Sequence, residues 1–130
     1  MATDSTLGWT DLSNITPGRV HLLGNWQMPT LREFQFDLFW NAASFGEMEP
    51  DVVENYLSIV TGGAKWIYLL QARHGKETAG KNRVQKKIDF HDYQRLLSGY
   101  DLCEESPGWL AHKRLGDSCG YFEAIWKRAV

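Results

Sequence analysis

Glu47 and His74 are the two side chains whose type and setting suit proton transfer. A carboxylate or an imidazole within hydrogen-bond reach of a hydroxyl can accept its proton. Glu47 lies in a polar loop that follows the apolar run Phe36-Asp37-Leu38-Phe39-Trp40 and leads through Glu49 and Pro50 into an amphipathic segment. His74 follows a second apolar run, residues 66–71, at its carboxyl end. Loops outside the carboxyl ends of strands are where an α/β sheet places its ligand chemistry. Each residue also has a plain alternative role. Glu47 complements the positive end of the following helix dipole. A lone His in a charged loop is ordinary solvated surface. No Ser or Cys has a recognisable triad context, and no His, Asp and Glu spacing argues for a metal.

These residues need a sheet and helices to position them. Residues 36–40 and 65–71 are nearly continuous apolar runs, as strands buried on both faces require. Between them Pro50 suits the first helical position, where its missing N–H costs nothing. Val52, Val53, Tyr56, Leu57 and Val60 form one apolar stripe at helical spacing, ended by Gly62-Gly63. The spacing predicts a helix over 50–61 and a parallel strand–helix–strand crossover, right-handed as such units are. Asp89 caps a second helix, 89–98, with Phe90, Tyr93, Leu96 and Leu97 on one face. Short strands are expected at 20–23, after an irregular segment 1–18, and at 100–103 before a turn at 104–108; a last strand covers 121–127. Residues 73–87 are basic and polar, a solvated loop or one that meets an anionic group. There is no internal repeat.

The chain has 130 residues, 43% of them hydrophobic, with six Trp and a net charge of −2. That length makes one domain with a real core. The charge supplies no general attraction to nucleic acid. No run of about 18 apolar residues predicts a transmembrane helix, and the first residues lack the basic and apolar regions of a secretory signal. The expectation is a cytoplasmic protein that binds neither membrane nor nucleic acid. Cys103 and Cys119 then read as free thiols, a disulfide being the less favoured reading.

Phe36-Asp37-Leu38, Ser44-Phe45-Gly46-Glu47-Met48 and the Val53-x-x-Tyr56-Leu57 helix resemble the later half of class I S-adenosylmethionine-dependent methyltransferases. The group most similar is the sugar O-methyltransferases. The resemblance covers residues 19–130 and is most specific at the Ser44–Met48 motif. It implies a three-layer Rossmann-like sheet with strand order 3-2-1-4-5-7-6, S-adenosylmethionine as cofactor and a sugar or glycan hydroxyl as methyl acceptor. It places Gly24, Asn25 and Trp26 near the adenine, and Asn41 and Ser44 at the methionine end of the cofactor or at the substrate. Glu47 becomes the base or the sugar-binding acid, and His74 the second candidate.

The family's first strand and glycine-rich turn are missing, for no G-x-G-x-x-G element occurs here. Family strands 1 and 2 would lie between strands 3 and 4, so the strand at 36–40 is expected to carry an uncovered edge, a pairing hazard. The strand at 20–23 could fill that gap, another chain could pair with the edge, or the sequence is an incomplete, inactive fragment. The fragment is preferred. The alternative function is a non-catalytic α/β interaction or ligand-binding module.

Overall fold

The computed structural model describes residues 6–76, 84–107 and 120–130. Its elements in chain order are β1 (Phe36–Ala42), α1 (Pro50–Val60), β2 (Ala64–Ala72), α2 (Phe90–Leu96), β3 (Tyr100–Pro107) and β4 (Tyr121–Arg128), with 3-10 turns at Asn25–Leu31 and Phe45–Glu47. The four strands form one mixed sheet in the order β1-β2-β4-β3. β1 runs parallel to β2, with Leu38 beside Trp66 and Trp40 beside Tyr68. β4 is antiparallel to both its neighbours, setting Gln71 beside Phe122 and Ser106 beside Glu123.

The expected strand–helix–strand unit is present, and its local causes are visible. Pro50 opens α1, and Val53, Leu57 and Val60 of the apolar stripe are fully or almost fully buried. Asp89 caps α2 by accepting from the amides of His91 (2.9 Å) and Asp92 (3.1 Å), while the Asp92 carboxylate accepts from the amide of Asp89. This reciprocal cap satisfies amides the helix cannot. Where the chain enters β1 it passes very close to Gly63. A Cβ there would sit 1.9 Å from the Phe34 carbonyl oxygen, so the crossing admits only glycine.

Both helices pack on the same face of the sheet. Val53, Leu57 and Val60 of α1 join Tyr93 and Leu97 over Ile67, Leu69, Phe122, Ala124 and Trp126 in one cluster. Strand residues two apart share a face. The other face therefore carries Leu38 and Trp40 (51% and 63% exposed) with half-buried Trp66, Tyr68, Leu70 and Ile125. The expected three layers are thus corrected to two among the described residues. The reason is topological. Both parallel connections, β1 to β2 and β2 to β3, step across the sheet in one direction, and right-handed connections stepping one way place their helices on one side.

Two strand expectations are also corrected. Residues 20–23 form no strand. Val20 and Leu22 are largely exposed, and this segment is held instead by the Thr6 hydroxyl donating to the Leu22 carbonyl and by Trp9 against the His21 ring (5.2 Å). The edge of β1 stays open among the described residues. β3 runs on through the expected turn to Pro107, with a bulge between Leu102 and Glu104. A bulge and the pair Glu104-Glu105 are common ways of keeping an edge strand from pairing further. Cys103 on this strand is an exposed free thiol. Cys119, and residues 77–83 of the basic loop, lie outside the described residues.

Val53→Asp should cost about 3–5 kcal/mol, the scale of an uncompensated buried charge, and lower the urea midpoint accordingly. Tyr93→Phe should act in the opposite sense. The Tyr93 hydroxyl is buried without a hydrogen-bond partner among the described residues, and its pKa is raised, first by burial and then by Asp92. Removing it at neutral pH should leave stability unchanged or raise it by about 1 kcal/mol. Above the ordinary tyrosine pKa the unfolded chain ionises and the folded one does not, so wild-type stability falls there as pH rises. Denaturation profiles taken upward from pH 10 should show a shallower fall for the Phe variant.

Candidate functional site

The carboxyl ends of the parallel strands β1 and β2 meet in a small polar network. β1 leaves the sheet at Ala43, whose amide donates to the Leu70 carbonyl (2.7 Å) and whose φ of 59° lies in the left-handed region. That conformation is uncommon for a residue with a Cβ and marks a constrained turn. The turn folds Ser44 back onto Asn41. The Asn41 amide nitrogen donates to the Ser44 hydroxyl at 2.7 Å, and that oxygen lies 2.9 Å from Asn41 Oδ1. Gln71, at the end of β2, donates to the same Oδ1 at 2.7 Å. Phe45 then pins the loop to the core, almost wholly buried between the rings of Phe39 (6.1 Å) and Tyr93 (6.5 Å).

Asn41 and Ser44 are therefore brought together at the carboxyl end of β1. Glu47 closes the same loop, partly exposed and in an ion pair with Lys76, whose stem lies against Gly46. A pair this exposed contributes little to stability, so its carboxylate is positioned yet reachable. His74 is exposed just past β2. Its neighbour Arg73 is occupied structurally, over the rings of Phe90 (5.1 Å) and Phe122 (5.9 Å) and paired with Glu105. Glu49 accepts from the amides of Gln85 and Lys86 and so straps that segment to the start of α1.

Gly24, Asn25 and Trp26 sit elsewhere in the network of contacts. They open the first 3-10 turn, which packs against α1. The Trp26 indole lies over Gly24, and the Gly24 amide donates to Gln27 (2.9 Å), whose own amide reaches the carbonyls of Thr6 and Trp9. Their hydrogen bonds thus tie them to the amino-terminal segment, and none joins them to Asn41 or Ser44.

Gln71, Lys76 and the strained Ala43 were not singled out from sequence. Gln71 did leave a signal. It falls in phase with buried Ile67 and Leu69, where alternation calls for another apolar side chain. It is 1% exposed, and its Oε1 has no partner among the described residues. A buried amide in that state carries a desolvation cost. Such costs are most often tolerated at sites that bind something.

No helix among the described residues is long and apolar enough to cross a membrane. A comparison with protein-family models finds no match, and a search of curated protein sequences finds none.

Because Asn41 accepts the one hydrogen bond that the Gln71 amide donates among the described residues, Asn41→Ala should leave both polar atoms of Gln71 without a described partner and cost about 2–4 kcal/mol. Adding Gln71→Leu should recover much of that loss. A urea-denaturation double-mutant cycle should show coupling of about 1 kcal/mol or more.

Proposed function

We propose that this chain forms the second half of a class I methyltransferase domain, which transfers a methyl group from S-adenosylmethionine to a sugar hydroxyl. The strand order carries the proposal. β1-β2-β4-β3, with β4 antiparallel to its neighbours, corresponds strand for strand to the 4-5-7-6 stretch of that family's sheet. The polar network at the carboxyl ends of β1 and β2 lies where such a sheet places its ligands.

The residues present fit half of a cofactor site. Asn41 and Ser44 offer a hydroxyl and an amide at the strand ends. Gly24 and Trp26 pack on each other and offer no open adenine slot between them. When bound, S-adenosylmethionine supplies an electrophilic methyl group. The part of this chain is to hold the acceptor sugar, exclude misaligned water and take the hydroxyl proton. Glu47 is the residue for that proton, after Lys76 swings away from its carboxylate; exposed His74 is the second candidate. The sequence has no G-x-G-x-x-G turn. We therefore place the remaining half of the site on a further strand pairing with the open edge of β1, and read the chain alone as inactive. The exposed Leu38 and Trp40 equally suit a binding module whose open edge takes a partner, and this is the second reading.

Calorimetric titration separates the two. Residues 1–130 alone should give no saturable heat with S-adenosylmethionine, whereas the chain expressed from an upstream-extended reading frame should bind it. In the longer protein Glu47→Gln should lower kcat by about 100-fold, the scale of a lost general base, with cofactor affinity unchanged. Tight stoichiometric binding by residues 1–130 would overturn the half-site. No binding by either protein would leave the partner-binding module as the better account.

A further inference from the structure

Two buried side-chain atoms have no hydrogen-bond partner among the described residues: Gln71 Oε1 and the Tyr93 hydroxyl. Gln71 is 1% exposed and Tyr93 fully buried. Both border Phe122. Gln71 lies beside it across the β2–β4 ladder, and the Tyr93 ring lies 5.7 Å from the Phe122 ring. The way round of the Gln71 amide follows from its one partner, for its nitrogen donates to Asn41 Oδ1 at 2.7 Å. Turned over, it would set two oxygens against each other and leave its N–H groups without an acceptor. Oε1 is therefore the atom left over. A buried polar atom in that state has given up its hydration for nothing, and each such atom asks for an explanation.

The chemistry of the pair says what satisfies it. Gln71 Oε1 only accepts, whereas the Tyr93 hydroxyl both donates and accepts. A ligand hydroxyl answers both, giving its proton to Gln71 and taking one from Tyr93. A carbonyl serves Tyr93 alone, and an N–H reaches both only by leaving the Tyr93 proton idle. Asn41, Ser44 and Gln71 carry no charge, and the Tyr93 pKa is raised, first by burial and then by Asp92, which keeps the phenol neutral. Uncharged buried surroundings reject an ion. The Phe45 ring, stacked on Tyr93 at 6.5 Å, and the Phe122 ring offer apolar surface to the carbon skeleton of a polyol. The network reaches the surface through Asn41 and Ser44, both half-buried.

We infer that Gln71 and Tyr93 are the recognition pair of a binding site for an uncharged polyhydroxyl ligand, one hydroxyl of which donates to Gln71 Oε1 and accepts from the Tyr93 hydroxyl. The ligand enters past Asn41 and Ser44. This deepens the sugar-acceptor reading and rests on it for the place of the site. It adds two residues that select the ligand and take no part in proton transfer.

The probes are methyl α-D-glucopyranoside, methyl α-D-mannopyranoside and methyl α-D-galactopyranoside. Titrated into the 130-residue chain under heteronuclear NMR, at least one should shift the side-chain amides of Gln71 and Asn41 saturably. Tyr93→Phe should lower that affinity about 10-fold, the scale of one lost hydrogen bond, while its urea midpoint stays unchanged or rises. Gln71→Met should lower the affinity similarly. Affinity lost without stability lost is the mark of a ligand contact, which a merely structural pair does not give. If Gln71→Met fails to fold by circular dichroism, the conservative Tyr93→Phe variant decides. No saturable shift with any of the three glycosides would overturn the assignment, as would a water cross-peak at the Gln71 amide with no glycoside binding, or unchanged affinity in Tyr93→Phe. Cofactor titration of the upstream-extended protein is read separately. Glycoside binding without cofactor binding removes methyl transfer and keeps this site, whereas cofactor binding without glycoside shifts removes this site and keeps methyl transfer.

Discussion

β2 is the strand on which the rest of this molecule depends. Among the described strands it alone is paired in parallel on one side and antiparallel on the other, to β1 and to β4. Its Ile67 and Leu69 are completely buried. Each such side chain contributes roughly 1.5–3 kcal/mol by leaving water. The parallel pairing imposes the remaining order. A parallel neighbour can be reached only through a crossover, and the handedness of that crossover decides which face receives α1. The connection from β2 to β3 steps the same way, so α2 follows α1 to the same face. The core, the open face and the open edge of β1 all descend from this one constraint.

The same constraint explains where the polar groups collect. Parallel β1 and β2 deliver both their carboxyl ends to one side, so Asn41 and Gln71 arrive together although 30 residues separate them. The left-handed turn at Ala43 and the burial of Phe45 then leave the Ser44–Glu47 loop little freedom. A candidate site built this way is positioned by the sheet, with Glu47, Lys76 and His74 as its outermost groups.

The far side of the sheet is organised by a different balance. Among the described residues, aromatic side chains there have no helical layer to enter, and they find partners among themselves and with charge. Trp40 stacks on Tyr68, Lys127 covers Trp66, and Tyr68 donates to Glu123. The Tyr68 pKa is raised, first by its partial burial and then by Glu123. The neutral phenol that holds this arrangement is thus retained through neutral pH.

What the sequence alone determined is what local chemistry controls. Pro50 and the Val53–Leu57–Val60 stripe are enough to specify α1, Asp89 is enough to start α2, and the apolar runs of β1 and β2 are enough to make them strands, because caps and periodicity act over a few residues. The polar character of the loop after β1, which makes it a candidate site, was legible for the same reason. Three things were decided only by tertiary structure. Residues 20–23 have strand composition but gain no neighbour, and a strand without a ladder leaves its amides and carbonyls to other partners. Residues 104–107 look like a turn but extend as β3, because β4 offers them a ladder. Gln71 reads as the polar end of a strand, and joins the polar network only because parallel pairing carries it to Asn41. Which face remains open was equally invisible along the chain, since it depends on the direction in which successive crossovers step, and direction is a property of the assembled sheet.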